Sequence, residues 1–367
     1  MSRTPIRGRP PKGRGAAEDL PNRFARAWQA APEDEDNLGG ESWADPWEEP
    51  VPPSTELLED ASRTILSNNQ SPDIPFRYSL NPYRGCEQGC IYCYARPGHE
   101  YLGYSPGLEF ETKIVYKPQA AQLLARKLDS RSWKPQVIAL SGVTDCYQPI
   151  ERELGLTRAC LEVLAERRNP ASVITKSYGI TRDKDLLAEL ARHGAGSALL
   201  SINSLDATLA GRLEPRASRP ARRLRAIREL AEAGVPVGVM VAPVIPGLND
   251  HELPAVLEAA KEAGATFAGW ILLRLPLAVE PLFLAWLERH YPQRASKVLA
   301  RLRDLRGGEL SDARFGRRMR GQGPLAQQLS QLFQVSLRRY GLDGGGPELH
   351  SSAFRRPRGP QLELFEP

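Results

Sequence analysis

Asn81-Pro82-Tyr83-Arg84-Gly85-Cys86-Glu87-Gln88-Gly89-Cys90-Ile91-Tyr92-Cys93-Tyr94 holds three of the chain's five cysteines within eight positions, spaced C-x3-C-x2-C. Three thiolates leave one iron of a four-iron cluster without a protein ligand. An open metal position is what a catalytic site keeps for substrate or cofactor. Two other readings use the same residues. A structural zinc ion would take the three cysteines with His99, six positions past Cys93, as fourth ligand. A disulfide cluster would need an oxidising compartment, and nothing in the chain resembles a signal peptide. The spacing favours iron–sulfur, and few cysteines without an even pattern point to a reducing cytoplasm.

Outward from this loop the chain alternates between two periodicities. Apolar runs at Phe76–Leu80, Val137–Leu140, Ser172–Thr175, Ala198–Ile202, Val237–Val241 and Phe267–Leu273 read as buried strands. Helical patterns separate them. One begins at Pro118 and carries Ala121, Leu124, Ala125 and Leu128; another carries Leu156, Cys160, Val163 and Leu164. A third carries Leu224, Ile227, Leu230 and Ala231 and ends at Gly234, where a left-handed cap is expected. Further helices are expected at about 182–193, 251–263 and 280–290. Six strands alternating with six helices predict parallel βα units curled into an open, partial TIM-like (βα)6 barrel, an α/β fold.

In such folds ligands sit at the carboxyl ends of the strands. The polar motifs fall there: the cysteine loop after the first run, Ser141-Gly142-Val143-Thr144-Asp145-Cys146 after the second, Thr175-Lys176-Ser177 after the third, Ser201 and Asn203 after the fourth. The fifth run leads into Pro243-Val244-Ile245-Pro246-Gly247-Leu248-Asn249-Asp250. Any one of these is an ordinary helix cap. Their recurrence in register with a cysteine loop is the stronger signal.

The cysteine spacing, the aromatic Tyr92 before the last cysteine and the strand-like lead-in resemble the radical S-adenosylmethionine (SAM) superfamily. Over residues 75–290 the chain is similar to its spore photoproduct lyase-like branch, related to DNA repair photolyases, whose members mostly have no assigned substrate. Thr175-Lys176-Ser177, Leu213-Glu214-Pro215-Arg216, the 243–250 turn and Arg96-Pro97-Gly98-His99-Glu100-Tyr101-Leu102-Gly103 carry that likeness, the last within a bacterial subgroup. The resemblance implies that Cys86, Cys90 and Cys93 ligate a [4Fe–4S] cluster whose open iron chelates SAM. It further implies that Tyr92 packs near the adenine and that Thr144 and Asp145 hold the SAM amino group, which as an ammonium favours a carboxylate. Lys176 and Ser201 would contact carboxylate and ribose, with Asn203 nearby. The implied reaction is reductive cleavage of SAM, driven by an external flavodoxin or ferredoxin type of reductant, giving a 5′-deoxyadenosyl radical that abstracts hydrogen.

One departure bears on the reaction. Spore photoproduct lyases place a cysteine hydrogen donor before the Ser/Thr-Asp pair, where this chain has Gly142 or Val143. Cys146 follows Asp145 instead. It reads either as a relocated donor, with Tyr147 as an alternative radical carrier, or as a small buried residue. Cys160 reads as core. Photoproduct repair itself is therefore not expected, and lyase and transferase chemistries both stay open.

The tails carry their own signals. Residues 1–72 lack apolar periodicity and read as a disordered tail, basic and then acidic. The core would span 73–292, a helical extension 293–340, and a flexible tail 341–367. Arg7-Gly8-Arg9-Pro10 matches an AT-hook core, and equally a plain basic tail. Gln361-Leu362-Glu363-Leu364-Phe365 resembles the pentapeptide with which bacterial proteins bind the sliding clamp. The basic segment Arg314–Pro324 reads as a phosphate-contacting surface or a solvated loop. The net charge of +5 and its uneven spread are compatible with DNA or RNA as a partner. No apolar run approaches the roughly 18 residues of a membrane span, so a soluble, cytoplasmic protein is expected. Two functions remain in view: a radical SAM enzyme, or a non-catalytic iron–sulfur adaptor tethered to DNA or the clamp.

Overall fold

Each of the six apolar runs becomes one strand of a single sheet. The computed structural model describes residues 10–25 and 54–357, so Arg7–Arg9 and Gln361–Phe365 lie outside the described residues. Ten strands occur among these: β1 (Glu56–Glu59), β2 (Leu66–Asn68), β3 (Tyr78–Leu80), β4 (Tyr83–Arg84), β5 (Lys113–Tyr116), β6 (Ile138–Leu140), β7 (Ala171–Thr175), β8 (Gly196–Ser201), β9 (Val237–Val244) and β10 (Phe267–Leu272). The main sheet runs β10-β9-β8-β7-β6-β3-β2. Strands β3 and β6 to β10 pair in parallel, and β2 adds antiparallel to β3 at one edge. Strands β4 and β5 pair antiparallel beside them, with β1 parallel to β5.

The helices return the chain between parallel strands, each laying an apolar stripe on the sheet. In the helix Ala120–Asp129 the stripe is Ala120, Leu124 and Leu128, all fully buried. That helix starts two residues later than expected, after a turn at Pro118-Gln119. Helices Leu156–Arg167, Lys184–Arg192, Pro220–Glu232, Leu253–Glu262 and Val279–His290 complete the alternation. Gly234 takes φ +80° and ends the Pro220–Glu232 helix. Helices Pro292–Arg306 and Gly323–Tyr340 form the C-terminal extension, and a short helix, Ala207–Leu213, was not anticipated. Among the described residues no helix is long and apolar enough to cross a membrane.

Two segments drawn as tails are partly built onto the body. Arg14 to Ala16 are buried, and β1 and β2 join the sheets, so packed structure begins well before residue 73. At the other end Leu342 is buried, His350 N–H donates to Gly194 O at 2.8 Å, and Arg355 N–H donates to Arg167 O at 2.9 Å. Backbone and arginine hydrogen bonds hold these pieces. They carry too few apolar residues for a periodic signal.

The basic segment after the Pro292–Arg306 helix straps the open side of the barrel. Leu272 N–H donates to Met319 O at 2.9 Å on the β10 edge. Gly316 N–H and Arg318 Nε donate to the Asp73 carboxylate at 2.7 and 2.6 Å, beside the β2–β3 turn.

Candidate active site

Two glycines shape the cysteine loop. Gly85 and Gly89 adopt φ +77° and +67°, a region that side chains disfavour. A Cβ on Gly85 would stand 2.8 Å from Lys113 O, and one on Gly89 2.8 Å from a Glu111 carboxylate oxygen. The loop is pinned at several points. Cys86 N–H donates to Phe110 O (2.9 Å), Ile91 N–H to Leu213 O (3.1 Å), and Arg216 N–H to Gln88 O (3.2 Å). The last two explain the Leu213-Glu214-Pro215-Arg216 motif as a clasp over the loop.

A buried ion pair supports the loop from beneath. Arg96 Nε donates to Cys90 O (3.1 Å) while its Nη2 pairs with Glu111 at 2.5 Å, both side chains fully buried. The same carboxylate accepts Gly15 N–H and Ala16 N–H, each at 2.8 Å. Such a carboxylate is fully compensated, which is what makes its burial tolerable. Gly15 fits because a Cβ there would lie 1.9 Å from Gly89 O. None of Arg96, Glu111 or Gly15 was singled out from sequence as a loop support.

The three thiols are free of disulfides, with Cys86 and Cys90 buried and Cys93 partly exposed. Burial, then Asp145 and Cys93, pushes the Cys86 thiol up to about 12, and burial raises Cys90 well above the usual thiol value. A thiolate here needs a cation, as a metal centre would supply. His99 lies beside the loop, its Cε1 3.2 Å from where a Cβ on Gly85 would stand and both its ring nitrogens buried without a hydrogen-bond partner. Its ring sits 5.3 Å from Tyr104 and 5.5 Å from Phe110, and burial lowers its pKa to about 4. Among the described residues no three His, Cys, Asp or Glu side chains stand close enough together to hold a single ion.

The strand-end residues divide into two groups. Asp145 is committed within the protein: its carboxylate accepts Tyr147 N–H (2.9 Å), Thr175 Oγ1–H (2.6 Å) and Lys176 N–H (2.8 Å). Thr144 Oγ1–H donates to Gly85 O at 2.7 Å. This pair therefore ties the cysteine loop to β7, and holding an amino group falls less to it than the resemblance implied. Tyr92 is buried with its hydroxyl on Glu214, which also pairs with buried Arg223; Arg223 in turn donates to Ser201 O at 2.8 Å. The chain Tyr92–Glu214–Arg223–Ser201 thus links the loop to the end of β8.

The second group keeps its polar atoms available. Asn203 is buried, and neither its Oδ1 nor its Nδ2 has a partner. Burial works against the Lys176 ammonium, but Cys90, Glu214, Asp145 and Cys93 outweigh it and hold its pKa above the ordinary lysine value. Lys176, half-buried just past β7, therefore keeps its charge. Ser201 is buried at the end of β8.

Cys146 and Tyr147, read as donor and radical carrier or as core, are both buried. Cys146 is fully buried in the main core, where burial raises its thiol well above the ordinary range. Tyr147 is 4% exposed and donates its hydroxyl to Asp183 at 3.0 Å. Both side chains point into packing, because the residues after Asp145 turn inward beneath the loop. Tyr94, half exposed beside the last cysteine, donates its hydroxyl to Gly142 O at 2.7 Å and has Arg274 5.4 Å over its ring; Val143 and, elsewhere, Phe315 beside Arg318 are also exposed. Ser141 adopts φ +75°, a strained conformation for a non-glycine residue.

The Radical SAM superfamily profile matches residues 80–260. An uncharacterized protein of Mycobacterium tuberculosis is 37% identical over 226 residues, covering 61% of this chain and 66% of that protein. The chain thus spans just under two thirds of that relative's length. An uncharacterized protein of Methanocaldococcus jannaschii is 30% identical over 217 residues, covering 59% of this chain and 77% of that protein. Among solved structures, spore photoproduct lyase complexed with dinucleoside spore photoproduct shares the fold, with TM-score 0.56 at 17% identity over 77% of this chain and 79% of that one.

Proposed function

This chain belongs to the radical SAM superfamily, and from that premise we propose that it is a radical SAM enzyme whose cysteine loop holds a [4Fe–4S] cluster and whose strand ends hold SAM. The observation that carries the reading is Asn203, a buried amide with two unpartnered ends two residues past Ser201, with Lys176 following the neighbouring strand β7. A buried amide left so is costly unless a polar ligand completes it. A zwitterionic ligand needs a cation, an acceptor and neutral donors, and these three residues with the remaining lone pair of Asp145 supply them.

When bound, the cluster and SAM supply one-electron reductive cleavage to a 5′-deoxyadenosyl radical that abstracts hydrogen from a substrate. The chain's own residues do the positioning. Cys86, Cys90 and Cys93 are the metal ligands, fixed by Arg96, Glu111 and Thr144. Lys176 takes the carboxylate, Asn203 and Ser201 the ribose or amino group, and Tyr92 forms a wall near the adenine. Cys146 and Tyr147 take no part in hydrogen transfer. Tyr94 under Arg274, half exposed beside the last cysteine, suits a substrate with planar bases and phosphates, so nucleic acid is the proposed substrate class.

The test is anaerobic reconstitution with iron and sulfide, then dithionite and SAM with and without single-stranded DNA or RNA. We expect about four irons per chain by the cluster's stoichiometry and 5′-deoxyadenosine that is lost in Cys86→Ala, Cys90→Ala and Cys93→Ala. A colourless protein, or a four-iron protein that neither binds nor cleaves SAM, refutes the reading.

A further inference from the structure

Gly89, next to Cys90 in the loop, also backs onto the surface. A Cβ on it would stand 3.2 Å from Gly15 N and 3.2 Å from Pro215 Cγ. Gly15 and Pro215 line a surface pocket of about 390 Å³ together with Lys12, Arg212, Trp286 and Arg289. None of the described residues lining it is acidic. Lys12 and Arg212 are exposed on its rim, and Arg216, beside it, pairs with Glu87 at 3.2 Å. A basic pocket is here separated from the cysteine loop by a single layer of backbone. The thinness is enforced by sequence, since neither Gly15 nor Gly89 has room for a side chain.

We propose that this rim is the docking face for an acidic one-electron carrier protein of the flavodoxin or ferredoxin type. The proposal rests on the functional reading above, which consumes one electron per SAM cleaved. The carrier is oxidised by one electron and the metal centre held by Cys86, Cys90 and Cys93 is reduced by one; no atom is transferred. Positive charge on the rim steers an acidic partner to the place where the wall is thinnest, and it does so in a salt-dependent way. Arg14 has a different task. Its Nη1 donates to Glu111 O at 2.6 Å and so holds the wall itself.

The experiment uses the full chain and an acidic flavodoxin. Affinity is measured with metal-free and reconstituted protein at low and high salt. Reduction of the reconstituted protein is followed by absorbance with flavodoxin hydroquinone and, separately, with dithionite. For Lys12→Glu/Arg212→Glu we expect affinity and flavodoxin-driven reduction both to fall about tenfold or more at low salt, the size of effect that charge steering produces. Dithionite reduction should be unchanged. The matched reversal Arg338→Glu/Arg339→Glu, on the helix Gly323–Tyr340 outside the pocket, should leave all three as in wild type. Wild-type affinity and rate in the pocket variant overturn the proposal, as does an equal loss in the matched variant or with dithionite. Dithionite-reduced wild type that makes no 5′-deoxyadenosine overturns the functional reading instead, because carrier binding is read independently of it.

Discussion

Replacing Asn203 by leucine should make the protein more stable and unable to bind SAM. Asn203 is 1% exposed, and both ends of its amide lack a partner, while its backbone carbonyl is well used by Asn249 Nδ2 at 2.7 Å. An unsatisfied buried polar group costs about 1–3 kcal/mol, and an apolar side chain of the same shape removes that cost. Counting the amide once, Asn203→Leu should stabilise the ligand-free chain by about 1–3 kcal/mol. At about 2 °C per kcal/mol for a large domain, Tm rises by roughly 2–6 °C.

The assay is thermal unfolding of metal-free protein with and without SAM, alongside calorimetric titration of reconstituted protein with SAM. Wild type should gain stability from SAM, as any ligand of the native state confers. Asn203→Leu should begin higher and gain nothing. Gain of stability with loss of binding is the signature of a polar group kept for a ligand. A variant that is destabilised, or that binds SAM as wild type does, refutes the reasoning, since the amide would then have a partner within the protein.

Glu214→Gln should cost about 3–5 kcal/mol, because Arg223 is left as a buried charge without its counterion; chemical denaturation reads this, and Glu214→Leu/Arg223→Leu should recover most of it. Gly15→Val puts a Cβ 1.9 Å from Gly89 O; overpacking of about 1–3 kcal/mol falls on the loop, so iron retained per chain should drop. Cys146→Ala should lower stability by about 1 kcal/mol and leave iron content and 5′-deoxyadenosine formation intact; a variant as stable as wild type in chemical denaturation would show that the thiol adds nothing to the packed core. For the Gln361–Phe365 pentapeptide, clamp retention should be lost in Leu364→Ala/Phe365→Ala, and equal retention by both chains rejects the motif.

The barrel was legible because parallel strands buried on both faces must be continuous apolar runs, and six such runs are plain in the chain. The loop was legible because metal ligation restricts residue type and spacing. What escaped were contacts without a period. Residues 14–16 look like a basic, glycine-rich tail, yet their backbone N–H groups satisfy a carboxylate almost a hundred positions away. Asp145 was readable as a strand-end acid but not as one already holding three donors on β7 and its own loop. Cys146 was ambiguous because the position after a strand-end acid can turn either way. Only the surroundings decide, and here Cys146 is fully buried in the main core cluster, with Ser141 and Thr157 hydroxyls on its backbone.

The two groups of strand-end residues also say how rigidity and ligand capacity are apportioned. Gln88 Oε1 and the His99 ring nitrogens are buried without a partner, but these groups at the cysteine loop are saturated: Thr144 on Gly85, Asp145 on β7, Tyr92 on Glu214, Arg96 and Glu111 on one another. They make the loop a fixed object, as a metal centre with one open position requires. Lys176 and Asn203 lie along the same rim and have spare capacity. Destabilisation is thus confined to a few side chains held by saturated neighbours, so it does not spread into loop motion. Substitution in the first group should therefore change metal retention together with stability, whereas substitution in the second should separate ligand binding from both. A site in which the two kinds of variant behaved alike would not be divided in this way.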